Sequence, residues 1–150
     1  MESSELIKSF GEHLGVELAL DTDGACAIDV DGLAVTINDL TEISSIALTG
    51  DLGEPPPENL EALYKALLEA NHLFNGTAAA TLSLDSSTGH FALCRVMPCV
   101  ALDVDTFSLE VEHFVNVLET WTKIIANFRE LSPQVGESFD SFSPHSFMQV

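Results

Sequence analysis

Positive charge is what this chain has least of. Lys8, Lys65, Arg95, Lys123 and Arg129 stand against 24 acids, and the net charge is −19 over 150 residues. A surface of that sign repels nucleic acid and anionic lipid, which argues against both as partners. It keeps the chain in solution, and solubility alone is one reading of it; a basic or weakly charged partner is the other. Cysteine is scarce as well. Cys26, Cys94 and Cys99 form no CxxC pair, and an odd count does not make a disulfide framework, so a reducing compartment is expected. The first residues, Met-Glu-Ser-Ser-Glu, lack the basic region and apolar run of a signal peptide. No apolar run is long enough to cross a bilayer. The expected location is the cytoplasm, without membrane insertion.

Reactive motifs are missing too. There is no GxSxG, no phosphate-binding glycine loop and no HExxH. His13, His72, His90, His113 and His145 are scattered. His72 and His90 could approach each other, but no second ligand pair has metal-site spacing. Cys94 and Cys99, on either side of Pro98, read as packing residues rather than a redox pair. Asp21, Asp23, Asp29 and Asp31 form the densest acid cluster, and alternation puts Asp29 and Asp31 on one face. Weak calcium binding or acid–base work is open to them. They flank turns, however, and lack the EF-hand order of ligands, so a solvated face is the favoured reading. No catalytic residue, metal or cofactor is expected, and an enzyme is the least favoured class.

What the chain does have is pattern. Apolar residues make up 46%, enough for a core, and the length suits one domain. Leu6, Ile7, Phe10 and Leu14 give a first helix one apolar face, with Ser3 or Ser4 as its cap, Gly11 weakening its interior and Gly15 as its stop. Cys26, Ile28 and Val30, then Leu33, Val35 and Ile37, alternate with small or polar residues on either side of Asp31-Gly32, a hairpin signature. A third strand is expected at about 44–49. After a loop ending in three prolines, a second helix is expected from about Glu58 to Phe74. Leu60, Leu63, Leu67, Ala70 and Phe74 would share its inner face, and Glu61 would pair with Lys65 outside. Residues 81–84 and 90–96 read as a second hairpin, with Leu82, Leu84, Phe91 and Leu93 on one side. Val104, Phe107, Val111, Phe114, Leu118, Trp121, Ile125 and Phe128 alternate spacings of three and four, so a long helix with an unbroken apolar seam is expected, capped by Asp103 or Asp105 and stopped by Pro133. The domain is expected over 1–131. The tail, 132–150, carries Phe139, Phe142 and Phe147 in a Ser-rich setting without a period. Disorder is the favoured reading, and docking of these rings on an apolar groove is the alternative.

The order helix, three strands, helix, two or three strands, long helix resembles the class I, CesT-like chaperones of type III secretion. The resemblance spans about Leu6 to Phe128. Its most specific part is Leu67-Leu-Glu-Ala-Asn-His-Leu-Phe74, followed by Ala80-Thr-Leu-Ser-Leu-Asp85 and Phe91-Ala-Leu-Cys-Arg95. The resemblance implies an α+β fold with a twisted antiparallel sheet packed by helices, and a homodimer in the bacterial cytoplasm. Such a dimer holds a non-globular segment of a secreted effector and hands it to the export apparatus without hydrolysing ATP. The alternative is an adaptor of the same fold that sequesters a regulator of secretion. The tail and the plain Thr77-Ala-Ala-Ala80 depart from the family pattern.

A disordered client loses entropy on binding, so its receptor must offer apolar area or main-chain pairing. Phe10, Leu14, Ile28, Val30, Leu33, Val35 and Ile37 are the expected client-contacting set, with core packing the competing role for each. Leu63, Leu67, Phe74, Leu82, Phe91 and Leu93 exceed what a short helix over two strands needs. They are the expected dimer interface.

Overall fold

The computed structural model describes residues 1–130. Ser132 to Val150, with Phe139, Phe142 and Phe147, lies outside the described residues, as does Pro133. Eight elements follow in order: α1 (Ser3–Leu14), β1 (Ala25–Val30), β2 (Leu33–Leu40), β3 (Ser45–Gly53), α2 (Leu60–Asn71), β4 (Thr81–Leu84), β5 (Phe91–Pro98) and α3 (Val104–Glu130). The fold is α+β, with five strands in one sheet in the order β1-β2-β3-β5-β4. Two units are distinguished: Met1–Gly50 with Cys94–Val115, and Asp51–Leu93 with the residues from Asn116 onward.

In the first unit α1 buries Leu6, Ile7 and Phe10, the face its spacing predicts. Its N-cap is Glu2 rather than Ser3 or Ser4, both of which lie inside the helix. Gly15 ends it at φ 75°, a left-handed conformation that costs glycine little. Gly11 has a second use. A Cβ there would lie 2.7 Å from the Val16 carbonyl oxygen and 3.1 Å from the Leu18 Cβ. The missing side chain lets the chain after α1 fold back against the helix. Phe10 meets Phe107 of α3 edge to face, with ring centroids 5.0 Å apart. β1 and β2 pair antiparallel, Cys26 opposite Ile37, Ile28 opposite Val35 and Val30 opposite Leu33. β3 pairs with β2 and runs to Gly53, four residues past the predicted end, which shortens the expected loop. Ser45, Ile46, Ala47 and Leu48 are buried in succession. The residues beyond the predicted end, Gly50 to Gly53, do alternate in burial, but two glycines and an aspartate in four residues read as a turn.

In the second unit α2 runs only from Leu60 to Asn71, with Asn59 as N-cap. A 3-10 turn over His72–Phe74 follows, in which Leu73 and Phe74 take left-handed φ of 53° and 56°. The Gly76 N–H closes this turn on the Ala70 carbonyl at 3.0 Å, and the Asn71 side chain reaches across to β4. Its amide nitrogen donates to the Leu82 carbonyl at 3.0 Å, and its amide oxygen accepts from the Leu82 N–H at 2.9 Å. Leu63, Leu67 and Ala70 are buried as expected, whereas Leu60 is half-buried. Lys65 pairs with Glu69 at 3.6 Å instead of with Glu61. The indole N–H of Trp121 donates to the buried Gly76 carbonyl at 2.9 Å, which pins the loop after α2.

α3 has the expected seam. Phe107, Val111, Phe114, Leu118, Trp121, Ile125 and Phe128 are buried and Val104 is half-buried, while Val115, Val117 and Ile124 widen the stripe. Asp103 caps it, accepting from the Thr106 N–H at 2.8 Å. Among the described residues no helix is long and apolar enough to cross a membrane.

Candidate binding surface

The β1–β2 hairpin is closed by Asp31 and Gly32, both at positive φ (51° and 83°), the geometry of a type I′ turn. The Asp29 carboxylate accepts from the Gly32 N–H at 3.0 Å and braces it. Residues opposite one another in an antiparallel pair share a face, so Cys26, Ile28, Val30, Leu33, Val35 and Ile37 form one apolar surface. Burial along it is graded. Ile37 is fully buried, Val35 is 1% exposed and Cys26 is buried, but Ile28, Val30 and Leu33 at the turn end are only half-covered. The hairpin therefore carries apolar side chains beyond what its own unit covers.

Its outer edge is also open. The Asp39 N–H donates to the Gly24 carbonyl at 2.8 Å, which fixes that pair as hydrogen-bonded. By alternation Cys26, Ile28 and Val30 turn their backbone groups toward β2, while Ala25, Ala27 and Asp29 turn theirs outward. Ala25 is already satisfied. Its N–H donates to the Asp21 carboxylate at 3.0 Å, and its carbonyl accepts from the Asp21 N–H at 2.8 Å. Ala27 and Asp29 are left with outward N–H and C=O groups facing solvent.

The other end of the sheet is built differently. The Asp85 N–H donates to the His90 carbonyl at 2.8 Å, so Leu82 and Leu84 are the residues of β4 that face outward. The Asn71 side chain occupies both outward groups of Leu82. β4 is thus a short, protected edge, and β1 is an unprotected one.

In the same unit, α1 and the irregular segment after it bound a groove of about 680 Å³, lined by Ser4, Lys8, Glu12, Val16, Leu18 and Leu20 among others. Of the residues expected to contact a client, Leu14 is 50% exposed and Ile28, Val30 and Leu33 are half-covered. Phe10, Val35 and Ile37 lie in the core.

Of the residues expected at a dimer interface, Leu63, Leu67, Leu82, Phe91 and Leu93 are buried, and only Phe74 is exposed. Phe74 is outside because α2 stops at Asn71. Tyr64, Leu68 and Leu73 are exposed with it, Leu68 at 70% and Leu73 at 79%, and Leu84 is exposed at the end of β4. The sequence signal for the first two was an i,i+4 stripe, Tyr64 and Leu68, beside the core stripe. No periodicity marks Leu73, which lies in the turn.

The titratable groups do structural work. Partial burial alone would raise the Asp51 carboxyl, but hydrogen bonds from His90 and the Gly53 amide, together with the His90 charge, hold it below the usual range. The His90 Nδ1 lies 3.0 Å from Asp51. Burial pushes the Cys94 thiol up, and burial with the nearby Asp39 does the same to Cys99, which keeps both protonated and poor nucleophiles. Asp21 and Asp29 spend their carboxylates on turn amides. Among the described residues no group of three or more His, Cys, Asp or Glu side chains could hold a metal ion.

Among curated proteins nothing matches. Among solved structures the chain is similar to one in the HopA1–SchA chaperone–effector complex, at 23% identity and a TM-score of 0.65, over 79% of this chain and 91% of that one. It is similar to one in the ExsC–ExsE complex at 20% identity and a TM-score of 0.71, over 83% and 97%. It is also similar to one in the Yersinia pestis complex of the type III secretion chaperone SycH with a fragment of YscM2, at 18% identity and a TM-score of 0.62, over 79% and 98%. These likenesses establish the fold. Residues 5–122 match the Tir chaperone protein (CesT) family, and the chain belongs to that family.

Proposed function

We propose that this chain is a chaperone of type III secretion that holds a non-globular segment of a secreted effector and assists its delivery to the export apparatus. The setting is the bacterial cytoplasm, where Cys26, Cys94 and Cys99 stay free thiols. The observation that carries this reading is the open β1 edge beside a half-covered apolar face. Together they offer an extended chain both main-chain pairing and apolar area, the two things that offset its ordering entropy. The chaperone does no bond chemistry of its own in this reading. A regulator of secretion held in place of an effector would use the same surface, and the identity of the captured protein separates the two.

The client surface centres on Leu14, Ile28, Val30 and Leu33. Phe10, Val35 and Ile37 support it from the core, where a charged substitution would unfold the hairpin. Leu14→Asp and Val30→Asp leave that core intact, so both variants keep the circular dichroism of the parent chain. Co-purification from the native cell then loses the client. Normal capture by both folded variants contradicts the assignment.

The second part of the reading is that two copies act together, meeting through the exposed Tyr64, Leu68, Leu73 and Phe74 of the second unit. Of the buried residues first expected at this interface, Phe91 supports it directly, its ring edge to face with Tyr64 at 6.0 Å.

A further inference from the structure

We infer that the open edge of β1 selects a short client strand in which apolar residues alternate with lysine or arginine, and that Asp21 sets where that strand stops. The inference rests on the holding function proposed above and specifies what is held.

A strand laid along β1 places its residues alternately on the two faces of the sheet. One set falls beside Ile28 and Val30, on the half-covered apolar face, and is matched by apolar side chains. The other set falls beside the exposed Ala27 and Asp29. The charges carried by the hairpin and its flanking turns have one sign. From residue 9 to residue 64 the sequence contains no lysine or arginine, while Asp21, Asp23, Asp29 and Asp31 gather at the two ends of β1. Of the other bases of the same unit, Arg95 is committed to Glu110 at 3.0 Å, and Lys8 lies on α1 in the groove described above, not on the hairpin. A basic residue opposite Asp29 makes a favourable cross-strand pair, and an acidic one a repulsive pair.

The same charges exclude two other occupants. A second copy pairing edge to edge through β1 would bring two hairpins, each with Asp29 and Asp31 and no base, into one strand pair. The tail of this chain, residues 132–150, contains Glu137 and Asp140 and no lysine or arginine, so it lacks the complementary sign. The length of the ladder is limited as well. Asp21 occupies both outward groups of Ala25, so pairing begins at Ala27 and runs only to the turn.

The test titrates the full chain with two synthetic peptides, one alternating valine and lysine, the other valine and glutamate. The lysine peptide binds and weakens with added salt, and the glutamate peptide binds about tenfold less tightly or worse. Asp29→Asn keeps the acceptor for the Gly32 amide and lowers affinity for the lysine peptide about threefold. Ala27→Pro removes an outward donor that β2 does not use, and it abolishes binding. On the unsubstituted chain, hydrogen exchange at the Ala27 and Asp29 amides slows when the lysine peptide is added, a readout that needs no variant to fold. Equal affinity for the two peptides, no binding by either, or unchanged exchange at both amides overturns the inference. If that happens while the chain still captures its client, only the β1 selectivity falls. Loss of client capture by the unsubstituted chain overturns the holding function itself.

Discussion

Asn71 does for Leu82 what a neighbouring strand would otherwise do. Its one side chain supplies both a donor and an acceptor to the outward backbone groups of β4, at 3.0 and 2.9 Å. Asn71→Ala removes both bonds and leaves two part-buried backbone groups unpaired, at a cost of about 2 kcal/mol. Asn71→Asp is nearly as costly, because a carboxylate cannot donate to the Leu82 carbonyl and repels it. Urea unfolding of both variants checks this. Unchanged midpoints would mean that water replaces the side chain without loss. The importance of Asn71 was only half legible in the sequence. Its place at the end of a leucine-rich helix could be read there, but its partner lies eleven residues away across a turn that no local pattern encodes. The same limit applied to Phe10 and Val35. Apolar spacing put them on the correct faces, yet only tertiary packing decides that they are fully covered and that Val30 and Leu33 are only half-covered.

Elements with a clean period were legible nearly to their ends. α1, the β1–β2 hairpin and α3 follow from spacing, glycine and the Asp31-Gly32 pair, because one face of each meets the core and the other meets water. β3 and α2 were misjudged at their ends for opposite reasons. The last residues of β3, Gly50 to Gly53, read as a turn for their glycines, and α2 ends in left-handed backbone at Leu73 and Phe74 that no glycine or proline announces. The acidic groups at element ends give a pH prediction. Asp51 is held low as described above. Hydrogen bonds from Thr106 hold Asp103 low at the start of α3, and those from Ser87 hold Asp85 low in the β4–β5 turn. A carboxyl with a depressed folded value contributes stability that is fully present above its unfolded value, about pH 4, and is lost as pH falls through the folded value. The melting temperature should therefore be flat with respect to these groups at neutral pH and fall on acidification below about pH 4. Asp51→Asn and Asp103→Asn should each shallow that acid limb. An acid limb identical in the parent and both variants would contradict the role given to these bonds.

Two copies of the chain, each with an open β1 edge, would give an extended client two places to attach. Linked sites raise overall affinity through effective concentration, without any new contact at either one. Light scattering should return twice the 16.1 kDa subunit mass. Leu68→Glu with Leu73→Glu places charge on the proposed meeting surface and should return a single subunit mass, with the circular dichroism unchanged because both side chains are exposed. A single mass for the parent chain would remove the dimer from the account. The most direct measurement follows hydrogen exchange in the captured client itself, with the chaperone bound and after its removal. The account predicts a continuous client segment that exchanges slowly in the complex and as fast as an unstructured peptide once released. A segment that stays equally protected on its own, as a folded domain does, would contradict it.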